Sequence, residues 1–215
     1  MRLAIGNKNY SSWSLRAWLA MKLTGADFDE ILILLDTPEF KAEVERFSPA
    51  GRVPTLIDGD VVVWDSLSII EYLAEKFPEK GIWPKDQTAR ANARSIVAEM
   101  HSGFQDLRNG YPMNLRRKPA SRAEPFDAKK DIERVRDIWR DCREKYSSDG
   151  MFLFGDFSAV DCFYAPVVTR FLTYQLPLAG VEKAYAHAVM EHSFMRQWRE
   201  EALKEPWIVA ADEAE

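Results

Sequence analysis

The pattern of apolar and polar positions changes character near residue 80. Before it, short apolar runs alternate with helical periodicity. Leu3 and Ile5 alternate with Arg2 and Ala4 and stop at Gly6, which predicts a short strand. Ser11 to Leu23 carries Leu15, Trp18, Leu19 and Lys22 at helical spacing, with Gly25 as its stop. Glu30 to Leu35 is a near-continuous apolar run of strand length and predicts a strand buried on both faces. Strand, helix and strand in about 30 residues form a βαβ unit, with parallel strands and a right-handed crossover. Pro38 to Phe47 reads as a short helix. Thr55-Leu56-Ile57 and Val61-Val62-Val63-Trp64 flank Asp58-Gly59-Asp60, a hairpin signal because the tight turn needs positive φ. Ser66 to Phe77 places Leu67, Ile70, Leu73 and Phe77 on one face of an amphipathic helix.

The first part therefore reads β-α-β-α-β-β-α. Residues 78–85, with two prolines and a glycine, read as a linker. Beyond it the strand pattern vanishes. Helices are predicted over 88–110, 127–147, 158–176 and roughly 182–204, with the polar stretch Arg116 to Pro125 between the first two. The expected architecture is an α/β domain over 1–80 followed by an all-α bundle over 86–215. No internal repeat or low-complexity tract interrupts it.

Composition narrows the function classes. Against 29 Lys and Arg stand 34 Asp and Glu, a net charge of −5, which argues against a nucleic-acid partner. A hydrophobic content of 47% with 12% aromatics suffices for a packed core. The two cysteines, Cys142 and Cys162, form no disulfide scaffold, and with His101, His187 and His192 they show no metal-ligand spacing, so no metal is expected. The longest aliphatic run, Ile31 to Leu35, is far short of a membrane span, and the start lacks a long apolar signal segment. A reducing, cytoplasmic location and no membrane partner are the expectation.

Four segments are candidates for chemistry or for capping. Asn9-Tyr10-Ser11-Ser12-Trp13-Ser14-Leu15-Arg16 lies where a strand hands over to a helix, and helix N-termini favour anions. Ser11 or Ser12 reads either as a plain N-cap or as a hydroxyl donating to a bound thiolate. Arg52-Val53-Pro54-Thr55-Leu56 opens a strand. A trans proline would simply start an edge strand there. A cis bond would expose the Val53 backbone to an extended peptide. Asp65-Ser66 opens the next helix, whose amides can hold a carboxylate while the Asp65 carboxylate meets an ammonium. In Phe157-Ser158-Ala159-Val160-Asp161, Ser158 and Asp161 have the spacing of a capping box and read as structural.

Together these segments resemble the cytosolic glutathione transferases, along the whole chain. Ser11-Ser12-Trp13-Ser14-Leu15-Arg16 is similar to the Ser-Ser-Cys start of helix one in the zeta class. Val53-Pro54-Thr55-Leu56 resembles the family's cis-proline segment. Asp65-Ser66 with Ile69-Ile70-Glu71-Tyr72-Leu73 resembles its γ-glutamyl-binding corner, and Gly155 to Asp161 its helical-domain capping box. The resemblance implies a bacterial, serine-type, zeta-like member with a thioredoxin-like N-terminal domain and a helical C-terminal domain. It implies glutathione as co-substrate, activated as thiolate for attack on small electrophiles in detoxification, and a homodimer. Ser11 is then the hydroxyl nearest the sulfur, with Ser12 beside it. Val53 binds the cysteinyl backbone, Asp65 and Ser66 bind the γ-glutamyl end, and Arg52 helps hold the peptide.

Trp13 stands where the zeta pattern has Cys, and Asp65 where that class usually has Gln, which puts its isomerase activity in doubt. Isomerase or peroxidase chemistry on the same site, or a non-catalytic binding module, are the alternatives. Tyr10 is a rival sulfur donor. The electrophile pocket is expected between the domains, with Tyr10, Trp13, His101, Arg108 and Tyr111 as candidate walls. His101 and Arg108 read as acid catalyst and anion clamp, or as packing and surface charge. Lowering a thiol pKa from about 8.5 by about two units needs roughly 2.7 kcal/mol. A hydroxyl hydrogen bond to a charged group, about 1.5–3 kcal/mol, plus a helix terminus, about 0.3–1, can supply that without a general base.

Overall fold

The computed structural model describes residues 1–122, 127–146 and 150–213. Ala123, Glu124 and Pro125 of the polar stretch, and Ser147 at the end of the second predicted long helix, lie outside the described residues.

The α/β part follows the predicted order: β1 (Arg2–Ile5), α1 (Ser12–Thr24), β2 (Asp29–Leu32), α2 (Phe40–Val44), β3 (Thr55–Asp58), β4 (Val61–Trp64) and α3 (Ser66–Lys76). The strands lie in the order β2-β1-β3-β4. β1 runs parallel to β2, pairing Arg2 with Asp29 and Ile5 with Leu32, and antiparallel to β3, pairing Leu3 with Leu56. Successive side chains of a strand point to opposite faces. Leu3, Ile5 and Leu56 accordingly join Leu15, Trp18, Leu19, Ile69, Ile70 and Leu73 of α1 and α3 in the main core. Ala4 instead joins Ile33 and Val44 on the side of α2. Gly59 turns the hairpin at φ +60°.

β2 departs from expectation. It is an edge strand, and of Asp29, Glu30, Ile31 and Leu32 none is fully buried. An edge strand has one neighbour, and the apolar run continues past it for another purpose. Ile33 packs on α2, and Leu35 lies over Gly6, where any Cβ would come within 2.9 Å of the leucine side chain.

After a short 3-10 turn, Pro78–Lys80, the remainder is helical: α4 (Gln87–Ser102), α5 (Gln105–Gly110), α6 (Lys129–Tyr146), α7 (Ala159–Thr173), α8 (Gly180–Glu191) and α9 (Ser193–Ala202). Two predicted helices are each split. The 88–110 segment breaks at Gly103 and Phe104, the latter at φ +56°. The 182–204 segment breaks at His192, which ends α8 and caps α9 by accepting the Phe194 N–H at its Nδ1, 3.4 Å away. Apolar periodicity alone does not register a one- or two-residue break, because both flanking helices keep a buried stripe. α7 is the central helix of this part, buried over nearly its whole length. Its start is a capping box: Asp161 accepts from the Ser158 N–H at 2.9 Å, while the Ser158 side chain accepts from the Asp161 N–H. Among the described residues, no helix is long and apolar enough to cross a membrane.

The two parts are joined by polar as well as apolar contacts. The ammonium of buried Lys8 pairs with Glu30 and Glu201. The Glu205 carboxylate accepts from the Lys8 and Asn9 N–H groups, at 2.7 and 3.0 Å. Arg116 donates to the carbonyls of Glu205 and Trp207 and to the Tyr10 hydroxyl. The 201–213 segment thus pins the loop that leads from β1 into α1.

Candidate functional site

Two adjoining cavities, of about 500 and 560 Å³, share the walls Trp13, Arg52, Val53 and Arg108 and form one cleft between the α/β and helical parts. One end is lined by Tyr10, Ser11 and Ser12, the other by Asp65 and Ser66. The cleft thus brings together the start of α1, the turn before β3 and the start of α3, which adjoin because β1, β3 and β4 are neighbours in the sheet.

At the α1 end, Ser11 is the N-cap. Its Oγ accepts from the Ser14 N–H at 3.4 Å and lies 2.7 Å from Ser14 Oγ, which in turn accepts from the Gly6 N–H at 3.0 Å. The hydroxyl of Ser12 enters no hydrogen bond among the described residues. Tyr10 lines the same end, but its hydroxyl donates to Glu213 and accepts from Arg116. Burial, foremost, and the Glu213 carboxylate raise its pKa, so it stays a protonated phenol at neutral pH.

In the middle, the Val53–Pro54 bond is cis. No hydrogen bond among the described residues uses the Val53 N–H or C=O. At the far end, Asp65 adopts φ +73° and caps α3, its Oδ1 accepting from the Leu67 N–H at 2.8 Å. Positive φ is uncommon for a residue with a Cβ and is tolerated by Asp better than by most. Ser66, 1% exposed, carries a buried hydroxyl without a partner among the described residues. A buried, unpaired hydroxyl costs about 1–3 kcal/mol, and here it borders the cleft.

The helical part contributes Arg108 and Arg170 to the walls of the cleft, and Arg16 of α1 lies buried behind Trp13. Arg108 of α5 and Arg16 of α1 face the Trp13 ring, their guanidinium carbons 4.8 and 4.3 Å from its centre. Arg170 of α7, fully buried, donates to the carbonyls of Tyr111 and Pro166, and burial brings its pKa down to about 10, so it remains charged at neutral pH. None of these three arginines forms a salt bridge to a carboxylate among the described residues. His101 does not lie where the serines are; its Nε2 sits 3.2 Å from Asp65 Oδ2. Tyr111 lines neither cavity and packs against Tyr174. Arg170 and Asp212 also line the cleft and carried no signal in the sequence, since each comes from a segment whose packing only the tertiary fold decides. Ser158 and Asp161 lie outside the cleft, at the start of α7.

Residues 10–76 match the family described as Glutathione S-transferase, N-terminal domain. Glutathione S-transferase Z1 of Arabidopsis thaliana is 38% identical over 107 residues, covering 47% of this chain and 48% of the relative. The match thus spans about half the length of the curated relatives of this kind. A maleyl pyruvate isomerase described as a bacterial zeta-class transferase superposes with a TM-score of 0.72 at 22% identity, over 97% of this chain and 100% of that one. A glutathione transferase homolog from Burkholderia gl BGR1, solved with bound glutathione, gives 0.71 at 21% identity, over 94% and 96%. The chain therefore has the glutathione transferase fold: a thioredoxin-like sheet part followed by a helical part.

Proposed function

We propose that the chain is a glutathione-dependent transferase that activates the bound tripeptide as thiolate and directs it at small electrophiles. The observation that carries this reading is a single cleft with Ser11 and Ser12 at one end, Asp65 and the unpaired Ser66 hydroxyl at the other, and the free Val53 main chain between. A γ-glutamyl group has a carboxylate for the α3 N-terminus and Ser66 and an ammonium for Asp65. An extended cysteinyl unit pairs with Val53 as an added strand does. Arg52, lining both cavities, assists in holding the peptide. The domain division is 1–80 and 86–215 with the linker 78–85; the protein is cytoplasmic and homodimeric and serves detoxification.

Ser11 is the sulfur's hydrogen-bond donor. With a thiolate present, the 2.7 Å contact between the two hydroxyls runs from Ser14 to Ser11. The chain Gly6 N–H to Ser14 O–H to Ser11 O–H then ends on the sulfur, each bond strengthening the next. Ser12, free beside it, is the second hydroxyl. Tyr10 is already committed to Glu213 and Arg116.

Arg108 and Arg170 line the cleft beside Ser11 and Ser12, with Asp212 as the one carboxylate of that end among the described residues, so the preferred electrophile carries a carboxylate. The same arginines favour a second reading, isomerisation of an unsaturated acid. In it the thiolate adds to the double bond, the resulting single bond rotates, and the thiolate leaves unchanged. The solved neighbour named as a maleyl pyruvate isomerase supports that alternative.

The test is the ultraviolet thiolate band of glutathione, titrated with pH in the presence of protein. The expected result is an apparent pKa depressed by about two units with the parent chain and by less than half of that with Ser11→Ala. No depression with the parent chain would point to the non-catalytic module instead.

A further inference from the structure

We infer that His101 is a positioning residue for the ammonium-binding carboxylate: it locks Asp65 so that the cleft discriminates the charged amino end of its peptide substrate. The inference deepens the proposed glutathione reading and rests on it.

Asp65 is poorly constrained by its own neighbours. It sits at φ +73°, and within the α/β part its carboxylate is held at one oxygen only, by the Leu67 N–H. Its side chain is 45% exposed. A carboxylate held at one oxygen can swing about its terminal torsion, which is broad for Asp. The second oxygen is approached from outside the α/β part by His101 Nε2, 3.2 Å away in the last turn of α4, an ion-pair contact when the imidazole is protonated. With a contact at each oxygen the carboxylate plane is restrained, and acceptor capacity remains for an ammonium.

The imidazole is itself fixed. Its ring meets Trp13 edge-on at 5.3 Å and Phe163 at 6.0 Å, so α1 and α7 hold it from two sides. Its Nδ1 is buried with no hydrogen-bond partner among the described residues. Of the two ring nitrogens, Nε2 is the one that lies near a carboxylate among the described residues. The histidine thus joins the helical part to the γ-glutamyl end of the cleft, away from the serines and from any electrophile seated beside them. An exposed ion pair held at one contact contributes little; fixing its geometry is what makes such a pair discriminate.

The probes are glutathione and its des-amino analogue, glutaryl-cysteinyl-glycine, with affinities taken by calorimetry on the full chain. The parent chain should prefer glutathione by roughly 10- to 100-fold, the range of one charge-assisted hydrogen bond. His101→Phe keeps the packing on Trp13 and Phe163 but loses the donor, and should cut that preference at least about fivefold. The loss should appear in KM for glutathione, with kcat at saturation held within about twofold. His101→Gln, with an amide N–H to offer, should recover part of the preference, and serves in its own right should the phenylalanine variant not fold. Asp65→Asn should abolish the preference. An unchanged preference in His101→Phe or, failing that, no shift in His101→Gln overturns the role of His101 and leaves the glutathione reading standing. A parent chain that binds both peptides equally overturns the ammonium role of Asp65 and His101 together. A parent chain that binds neither overturns the glutathione reading and the inference with it.

Discussion

Arg16 holds its guanidinium carbon 4.3 Å from the centre of the Trp13 ring, is fully buried, and donates to the main-chain carbonyls of Ser12 and Phe163 instead of to a carboxylate. One side chain of α1 thereby stacks on the cleft wall and bolts α1 to α7. Lysine, a compact ammonium without a planar fork, cannot reproduce two carbonyl bonds and a ring stack at once. Arg16→Lys should destabilise the fold by about 2–3 kcal/mol in urea unfolding. A loss below about 0.5 kcal/mol would mean that the buried guanidinium is not a fastening.

Arg108 faces the same ring and has one main-chain partner, the Gly103 carbonyl. Arg108→Leu should lower kcat/KM about 10- to 100-fold for an electrophile bearing a carboxylate, and less than about threefold for a neutral halonitroaromatic. Equal losses on both would remove charge recognition from its role.

Tyr10→Phe and Ser14→Ala separate the rival donors. Tyr10 spends its hydroxyl on Glu213 and Arg116. Its phenylalanine variant should lose about 1–2 kcal/mol of stability yet leave the glutathione thiolate titration in place. Ser14→Ala removes the hydroxyl behind Ser11 and should raise the apparent thiol pKa by about half a unit to one unit. The reverse pattern would make the tyrosine the sulfur's partner.

Asp161 supplies a pH prediction. Complete burial pushes its carboxyl up to about 6, against the pull of its bonds to Ser158 and Leu153. An acid whose folded pKa lies above its unfolded value favours the native state while protonated. That contribution is fully present below about pH 4 and is lost as pH rises through about 6. Asn in its place cannot ionise. The stability of the parent chain minus that of Asp161→Asn should therefore fall by up to about 3 kcal/mol between pH 4 and pH 7 in urea titrations. A flat difference would show that the buried carboxyl titrates as it does in the unfolded chain.

Much of the α/β part was legible because its elements are local. The alternation of Leu3 and Ile5, the Asp58-Gly59 turn and the caps at Ser11 and Asp65 each write a structure within a few residues. β2 was misread because an apolar run records burial somewhere, without saying whether a neighbouring strand, α2 or Gly6 supplies the cover. The breaks at Phe104 and His192 were missed because each occupies too few residues to disturb the period. Candidate chemistry divided along the same line. Ser11, Val53 and Asp65 sit at element ends that the sequence marks, and the cleft gathers them. Arg170 and Asp212 reach it from distant segments, and His101, read as a companion of the electrophile, meets Asp65 across the interface between the two parts.

The pairing of Lys8 with Glu201, and of the Lys8 and Asn9 amides with Glu205, ties nearly opposite stretches of the chain across the approach to α1. On a ribosome, the residues of the sheet and its helices would emerge long before residue 205 clears the exit tunnel. The loop carrying Ser11 would until then hold only the contacts made within the α/β part. A nascent polypeptide would accordingly lack the Glu201 and Glu205 contacts to the approach to α1 until that late stretch had emerged.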